Sequence, residues 1–356
     1  MEIVVSICDL KEAIKLAKKT VIKGKASLEI LKKILIVANK NRISLIGYDF
    51  EDMFKIDIDG TVIEPGKTLL DKEIYTVIEK LKIKSYEPTT ITENTITCGN
   101  KTIEYETEQS PEDYPVIEED KTKLFTVSQE ELNRMFAVKY ACDKDKDCHD
   151  LRRQVICMEN NRCIASDTYR LAYRYWVNPI DTIKKYILLP LSSVKLLQLL
   201  LKNSKERVSC YLEDKEMAVV FVVGNIEHRI QLLKEKYFDF DHIEYPEPKT
   251  VVETNTKELL KELNLLKTMT EGYNNPIYIQ IKNDNMKITA NKAEHSLSAD
   301  IEVNKTGEDV AIHVNCLFFI DAIKNCGDDK VKINFAGSNG FVVVNDDGLL
   351  PLKCKN

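Results

Sequence analysis

Few residues in this sequence have the spacing that catalysis requires. Gly24-Lys25 matches the end of a phosphate-binding loop, but Lys19 stands where the loop needs its first glycine, and Ala26 replaces the Ser or Thr that would bind magnesium. Cys148-His149-Asp150 offers a thiol, an imidazole and a carboxylate, but adjacent side chains do not converge on one point. We therefore expect a protein that is not an enzyme and that needs no metal and no cofactor.

The chain is organised around residues 165–173, Ala-Ser-Asp-Thr-Tyr-Arg-Leu-Ala-Tyr. A short strand breaks there at Asp167 and resumes with Arg170 and Leu171. The surrounding pattern occurs three times, at 39–49, 160–167 and 283–291. Each copy has an Asn- or Asp-containing turn, then alternating apolar residues, then an Asp or Asn stop, which is typical of a hairpin that enters a half-buried strand.

The elements around these hairpins repeat as well. Each copy is preceded by a strand and a helix whose predicted cap is Asp9, Ser128 or Asn255, and Ser128 with Glu131 has the spacing of a capping box. A second helix follows each hairpin, at 71–81, 191–201 and 315–325. The sequence thus predicts an α+β fold of three repeated domains, each with two helices packed on antiparallel sheets. The predicted domains are 1–121, 122–247 and 248–356, within the usual domain size of about 100–150 residues.

Length and composition agree with such a protein. The chain has 356 residues, of which 44% are hydrophobic, with 12 Gly and 10 Pro, as expected for two or three globular domains. No apolar run is long enough to span a membrane, and the first residues lack the basic region of a signal peptide, so we expect a cytoplasmic protein. The ten cysteines have no repeated spacing and are interpreted as small core residues.

Charge is segregated along the chain. Residues 9–25 contain six Lys against Asp9 and Glu12, and residues 184–207 are also strongly basic, whereas residues 103–120 contain eight acids and no Lys or Arg. The net charge of −6 is therefore an average over surfaces of opposite sign. A basic helix is often only a solvated face, but repeated basic helices on one surface favour binding to phosphates. The third repeat is weaker evidence, because acids offset its lysines.

The central stretch resembles the Ala-Thr-Asp-Gly-His-Arg-Leu-Ala segment of the bacterial DNA polymerase III beta subunit, the sliding clamp family. Residues 113–117 (Asp-Tyr-Pro-Val-Ile), 236–240 (Lys-Tyr-Phe-Asp-Phe) and 349–353 (Leu-Leu-Pro-Leu-Lys) are similar to the segments that end the three domains of that family. Residues 315–323 are similar to its Asn-x-x-Tyr-Leu-Leu-Asp-Ala-Leu helix. Each motif alone is weak, but the resemblance spans the whole chain in the expected order.

The resemblance implies a head-to-tail homodimer whose six domains close into a ring around double-stranded DNA. Such a ring is a replication processivity factor: lysines around its channel attract phosphates without reading bases, so the protein slides. The partners implied are the DNA polymerase III catalytic subunit, a clamp loader ATPase, and other polymerases and repair proteins that carry clamp-binding peptides. The alternative is a clamp-fold paralogue that acts as a protein-interaction scaffold or antagonist without encircling DNA.

The resemblance, together with the basic bias, also assigns site residues. The residues expected to bind DNA are Lys11, Lys15, Lys18, Lys19, Lys25, His149, Arg152, Arg153 and Lys202. The residues expected to form a hydrophobic pocket for a partner peptide with Gln, Leu and Phe are Val155, Ser166, Thr168, Tyr169, Arg170, Leu171, Phe238, His242, Ile243, Phe318, Leu350, Pro351, Leu352 and Lys353. The residues expected at the dimer interface are Ile103, Tyr105, Thr107, Met269 and Thr270.

Some positions depart from the family pattern. Thr168-Tyr169 replaces the usual Gly-His, which adds a Cβ atom and a larger ring at the expected pocket wall, and Phe238 replaces a proline. Plain core packing is the other interpretation of Leu171, Ile243 and Leu350. We expect these departures to change the peptide preference rather than the fold.

Overall fold

The computed structural model describes residues 1–82, 87–117, 119–145, 147–202, 206–272 and 274–353. Its α-helices are α1 (Ile7–Ala17), α2 (Lys72–Lys80), α3 (Gln129–Met135), α4 (Leu191–Leu201), α5 (Thr256–Leu266) and α6 (Cys316–Lys324). Its short 3₁₀ helices are Glu29–Lys32, Pro111–Asp113, Phe136–Ala141, Leu151–Gln154 and Lys267–Met269.

The strands, in chain order, belong to four antiparallel sheets. The first thirteen are β1 (Glu2–Ser6), β2 (Ile34–Asn39), β3 (Arg42–Tyr48), β4 (Asp52–Ile58), β5 (Gly60–Glu64), β6 (Gly66–Leu70), β7 (Pro88–Thr92), β8 (Thr95–Cys98), β9 (Lys101–Glu104), β10 (Lys121–Val127), β11 (Val155–Met158), β12 (Arg162–Ser166) and β13 (Arg170–Tyr175). The others are β14 (Ile187–Pro190), β15 (Val208–Glu213), β16 (Ala218–Val223), β17 (Ile226–Gln231), β18 (Thr250–Asn255), β19 (Pro276–Lys282), β20 (Asn285–Lys292), β21 (His295–Glu302), β22 (Asn304–Gly307), β23 (Val310–Asn315), β24 (Lys330–Phe335), β25 (Val342–Val344) and β26 (Asp347–Leu349).

The chain forms two compact units, Met1–Asn133 with Ser192–Lys234, and Arg134–Leu191 with Glu235–Asn356. The first unit contains a five-stranded sheet in the order β5-β1-β7-β8-β9 and an eight-stranded sheet in the order β10-β15-β16-β17-β4-β3-β2-β6. The second contains a nine-stranded sheet in the order β14-β11-β12-β13-β26-β25-β24-β18-β22 and a four-stranded sheet in the order β21-β20-β19-β23. The α+β architecture with antiparallel sheets is confirmed, while the three domain boundaries stay a prediction.

The first unit shows why helix and sheet pack as they do. Leu10, Ile14 and Ala17 form one stripe of α1 and are all fully buried, as the helical spacing predicts. The helix lies very close to β3, because a Cβ atom on Gly47 would stand 2.1 Å from the carbonyl oxygen of Ala17. A glycine is therefore needed at this point of the strand.

The start of α1 corrects one expectation. Asp9 was predicted to cap this helix, but the cap is Ser6, whose hydroxyl accepts from the amide of Cys8 at 3.2 Å. Asp9 lies within the first turn, where its charge still favours the helix N-terminus. The other two caps are confirmed, since Ser128 Oγ accepts from the amide of Glu131, and Asn255 Oδ1 accepts from two amides of α5.

The predicted hairpins and second helices are confirmed. β2 pairs with β3, β11 with β12, and β19 with β20, each across the Asn- or Asp-containing turn. Helices α2, α4 and α6 lie within the predicted ranges. The core interpretation of the cysteines holds for six, whereas Cys8 is exposed, Cys148 and Cys326 are half-buried, and Cys354 lies outside the described residues.

Candidate functional site

The break in the central stretch is a tight turn held by Asp167. Its Oδ1 accepts from the amides of Tyr169 and Arg170, both at 3.0 Å, and Ser166 Oγ donates to the carbonyl of Arg170 at 2.7 Å. Thr168, at the tip, has a φ of +75°, which is a strained conformation for a β-branched residue. The turn places the side chain of Tyr169 at the surface and directs the side chain of Arg170 into the interior.

The first repeat contains the same Asp-held turn, and the third shares the positive φ at its tip. Asp49 Oδ1 accepts from the amides of Glu51 and Asp52, at 3.1 and 2.8 Å, and Phe50 at the tip has a φ of +77°. Ala293, in the β20–β21 hairpin, has a φ of +50°. A non-glycine residue with positive φ thus stands at the corresponding hairpin tip in all three copies.

Arg170 is buried and held from several sides. Its Nε donates to Asp167 Oδ2 at 2.9 Å and its Nη1 to Asp321 Oδ2 at 3.0 Å, while the guanidinium lies 4.1 Å from the ring centroid of Phe318. Asp321 also receives Lys144 Nζ at 3.1 Å. Arg170 therefore joins the turn to helix α6. Arg170 and the ring of Phe318 together form a wall on this side of the second unit.

A cleft of about 920 Å³ opens beside this wall, within the second unit. Tyr169 and Leu350 line it and are 52% and 41% exposed, so two large apolar side chains face open space. The remaining lining residues are Asp143, Lys144, Asp145, Arg153, Asp167, Arg170, Lys267, Asn274, Asn275, Asn315, Leu317, Phe318, Asp321, Pro351, Leu352 and Lys353. An exposed apolar groove with a polar rim is suited to a peptide anchored by a few side chains.

The pairing of β13 with β26 beside this cleft is stabilised by the buried carboxylate of Asp347. β13 pairs with β26, so that Arg170 lies opposite Leu349. Asp347 accepts from Tyr140 Oη at 2.7 Å and from both Nη atoms of Arg174, at 2.8 and 3.0 Å. Burial and the nearby Asp347 charge raise the pKa of Tyr140 well above its usual value, so its hydroxyl stays a donor.

Half of the expected pocket residues lie outside the cleft lining. Those that line it are Tyr169, Arg170, Phe318, Leu350, Pro351, Leu352 and Lys353. Those that do not are Val155, Ser166, Thr168, Leu171, Phe238, His242 and Ile243. Val155, Ser166 and Leu171 are buried, whereas Thr168, His242 and Ile243 are exposed elsewhere on the second unit. Phe238 packs with Tyr237 and Phe240 at centroid distances of 5.4 and 5.8 Å.

The sequence interpretation missed several lining residues. Asp143, Lys144 and Asp145 come from the loop before β11, and Lys267, Asn274 and Asn275 come from the segment after α5. Asn315 was recognised only as the start of α6, where its Oδ1 accepts from the amides of Leu317 and Phe318. The alternation of Asp and Lys at 143–145 was the available signal, but nothing in the sequence connects it to α6.

The predicted DNA-binding lysines of α1 and of the segment that follows it have two different environments. Lys11 Nζ donates to the carbonyl of Leu81 and Lys18 forms an ion pair with Glu79, so both are tied to the end of α2. In the part of the chain that the structure describes, the side chains of Lys15, Lys19 and Lys25 form no ion pair or hydrogen bond.

Four further lysines extend this basic surface. Lys18 and Lys19 line a cleft of about 880 Å³, and the other lysines that line it are Lys23, Lys32, Lys33 and Lys72. None of these four was assigned to DNA from the sequence. Acids also line the cleft, and one of them, Glu29, pairs with Lys32 at 2.7 Å.

The other residues assigned to DNA belong to both units. Lys202 is exposed in the first unit, and His149 is exposed in the second. Arg152 donates twice to Asp150, at 2.8 Å each, and its guanidinium lies 4.5 Å from the ring centroid of Phe238. Arg153 pairs with Asp143 at 2.7 Å and lines the cleft beside Tyr169. Both arginines therefore have structural partners within their own unit.

The residues expected at the dimer interface lie at or near sheet edges. Ile103 is on β9, the last strand of the five-stranded sheet, and Thr107 follows it. Tyr105 is largely buried, and its hydroxyl donates to the carbonyl of Thr92 at 2.9 Å. Met269 and Thr270 are half-buried after α5. Strand β21 lies at one edge of the four-stranded sheet, and the sequence interpretation did not name this edge.

A buried group in the first unit contains the residue types of a hydrolase triad. Ser193 Oγ donates to Asp52 Oδ2 at 2.9 Å, and His228 Nε2 lies 2.7 Å from Asp52 Oδ1. The carboxylate thus separates the hydroxyl from the imidazole, and burial lowers the pKa of His228. This group stabilises the pairing of β4 with β17. Among the described residues, no group of three His, Cys, Asp or Glu side chains is arranged to hold a metal ion.

Comparisons with known proteins agree with this geometry. Residues 246–348 match the sequence model of the family described as DNA polymerase III beta subunit, C-terminal domain. A beta sliding clamp of Staphylococcus epidermidis is 24% identical over 341 residues, which cover 89% of this chain and 88% of that protein. The resemblance to the bacterial sliding clamp family is confirmed.

Solved structures extend the likeness to the whole fold. The DNA polymerase III beta subunit of Pseudomonas aeruginosa has a TM-score of 0.89 and 18% identity, with 99% of this chain and 100% of that chain covered. The beta subunit from Streptococcus pyogenes has a TM-score of 0.88, also at 18% identity, with the same coverage. At such low identity the structural likeness establishes the fold alone.

None of the helices among the described residues has the length and apolar composition of a membrane-spanning helix.

Proposed function

We propose that this chain is a DNA sliding clamp, a non-catalytic processivity factor that encircles duplex DNA and holds partner proteins through the cleft beside Arg170. The observation that carries the proposal is this cleft. It combines exposed Tyr169 and Leu350 with a buried, immobilised Arg170, on a fold shared with beta clamps. A rigid groove with exposed apolar anchors needs little ordering on binding, which favours peptide affinity.

The proposal includes a homodimeric ring. Strands β9 and β21 are open edges of their sheets, and pairing of an edge with a second copy of the chain removes an aggregation hazard. The dimer contacts would include Ile103 and Thr107 near one edge and Met269 and Thr270 near the other. The proposed contacts to DNA phosphates are the unpaired lysines of α1 and of the segment that follows it, together with those of the neighbouring cleft.

The proposed partners act through the cleft or on the ring. A DNA polymerase catalytic subunit and repair proteins would insert clamp-binding peptides, and a separate clamp loader ATPase would open the ring. These assignments rest on the relatives and on the cleft. Replication places the proposed action in the cytoplasm.

Binding of a fluorescent Gln-x-x-Leu-Phe peptide, measured by anisotropy, tests the cleft. Leu171 is a poor position for the test because it is 7% exposed, so a charged substitution there would disturb β13. We expect Tyr169→Ala to weaken binding by roughly tenfold, as for a hot-spot aromatic residue.

Tyr175→Ala is the matched control, because Tyr175 is also 52% exposed but does not line the cleft. It should bind like the wild type. Equal affinity of the Tyr169 and Tyr175 variants, or no binding by the wild-type protein, would contradict the proposal. In the second case the protein-interaction scaffold would become the better account.

A further inference from the structure

The lysines of the basic cleft in the first unit are not equally available to a ligand. The described residues that line this cleft include Lys18, Lys19, Lys23, Lys32, Lys33 and Lys72. Lys18 forms an ion pair with Glu79, and Lys32 forms one with Glu29 at 2.7 Å. Within the described residues the side chains of the other four lysines form no ion pair or hydrogen bond. Carboxylates of the same unit therefore already neutralise two of these ammonium groups.

The two ion pairs differ in their exposure to water. The side chain of Glu79 is 26% exposed, whereas that of Glu29 is 60% exposed. Water and salt screen an exposed pair more than a half-buried one. Glu79 should therefore hold Lys18 more firmly than Glu29 holds Lys32.

The position of Glu79 is unfavourable for its own helix. Glu79 lies in the last turn of α2, where the helix dipole disfavours a negative charge. The carbonyl of Leu81, which directly follows the helix, accepts from Lys11 Nζ. Two lysines from α1 and its C-cap thus meet the end of α2. The stability of α2 does not account for an acid at this position, but the contact with Lys18 does.

A DNA phosphate can pair with Lys18 only if it displaces Glu79. Each lysine that neutralises a phosphate releases condensed counterions, so that the logarithm of the affinity falls with the logarithm of the salt concentration by about 0.9 per contact. A lysine that already has a carboxylate partner releases few counterions when DNA binds. It adds little to the affinity or to its salt dependence.

We propose that Glu79, and to a smaller extent Glu29, limit the affinity of the basic surface for DNA, because they compete with phosphates for Lys18 and Lys32. This inference rests on the proposed function as a ring on DNA. A protein that slides must release each phosphate as it moves, so weaker contacts favour sliding.

Duplex binding by the full-length chain tests the inference, with anisotropy of a short fluorescent duplex measured at several salt concentrations. Glu79→Gln should bind roughly five- to tenfold more tightly than the wild type at about 0.1 M salt, and its salt dependence should steepen by about 0.9. Glu29→Gln should show a smaller gain, because its ion pair is more exposed. The double variant Lys18→Gln with Glu79→Gln should lose the gain, since it frees no lysine.

Glu73→Gln is the matched control. Glu73 lines the same cleft and is exposed, and it has no lysine partner among the described residues. This variant removes the same charge but frees no lysine, so its salt dependence should stay at the wild-type value. Thermal melts should show that all variants are folded.

Two kinds of result separate this inference from the proposed function. No gain in Glu79→Gln, equal effects of Glu79→Gln and Glu73→Gln, or a gain that persists in the double variant would overturn the inference and leave DNA binding by the wild type intact. Absence of salt-dependent duplex binding by the wild type would instead refute the proposed function, and the inference with it.

Discussion

Replacement of Asp347 by Asn should strongly destabilise the second unit. The carboxylate is 2% exposed and accepts from Tyr140, from the amide of Tyr173 and from both Nη atoms of Arg174. An Asn side chain has no charge and only one acceptor oxygen. The guanidinium of Arg174, which is largely buried, would then lose its only carboxylate partner among the described residues.

The size of the effect follows from this burial. Removal of one partner from a buried ion pair costs about 3–5 kcal/mol, because the other charge remains desolvated. Asn retains one oxygen for a donor, so we expect a loss of about 3 kcal/mol in the free energy of unfolding. The chain has one tryptophan, Trp176, which is 5% exposed and donates to the carbonyl of Glu159 at 3.0 Å. Its fluorescence during urea unfolding therefore reports on this unit.

The neighbouring residue supplies the control. Asp346 is exposed, so Asp346→Asn should change stability by less than about 0.5 kcal/mol. The double variant Arg174→Met with Asp347→Asn should recover part of the loss, because no unpaired charge remains. The reasoning is refuted if the two Asp variants are equally stable, or if the double variant is as unstable as the sum of the singles.

Three further predictions concern the turns and the basic surface. Thr168→Asn should stabilise the second unit by about 1 kcal/mol in urea unfolding, because Asn tolerates the positive φ of the tip; unchanged or lower stability would contradict this. Burial raises the pKa of Asp49 to about 6, so its folded form binds more protons than the unfolded chain below that pH, and stability should rise as the pH falls from about 6 towards 4. Asp49→Asn should lack this rise and should be no less stable than wild type near pH 7.5, as measured by thermal melts across pH; a retained rise would assign it to another group. Lys19→Gln should weaken duplex DNA binding and lower the salt dependence by about one unit in a titration against salt, whereas Lys11→Gln should change it less because Lys11 is bound to a carbonyl; equal effects would contradict the assignment.

Local chemistry made much of the fold predictable. The caps at Ser128 and Asn255 and the three hairpin turns depend on residues a few positions apart, so the sequence contains the whole interaction. The error at Asp9 has the same origin, because Ser6 and Asp9 are both good capping residues three positions apart. In the structure α1 begins at Ile7, so Ser6 is the cap and Asp9 lies in the first turn.

The cleft was less predictable because its contacts are distant in sequence. The resemblance assigned Arg170 to the site, but its partner Asp321 lies 151 positions away, and no local pattern connects them. Lys11 and Lys18 likewise have the spacing of a free basic face, yet the end of α2 binds both. Whether a side chain fills a cleft or leaves it open depends on such long-range partners.

Retention on circular DNA tests the central proposal most directly. The protein would be loaded onto closed circular plasmid by a clamp loader ATPase with ATP, and then separated from free protein by gel filtration at high salt. A closed ring should stay with the circle and be lost when a restriction enzyme linearises the plasmid, because it slides off the ends. Equal retention before and after the cut, or no retention on the circle, would contradict DNA encirclement.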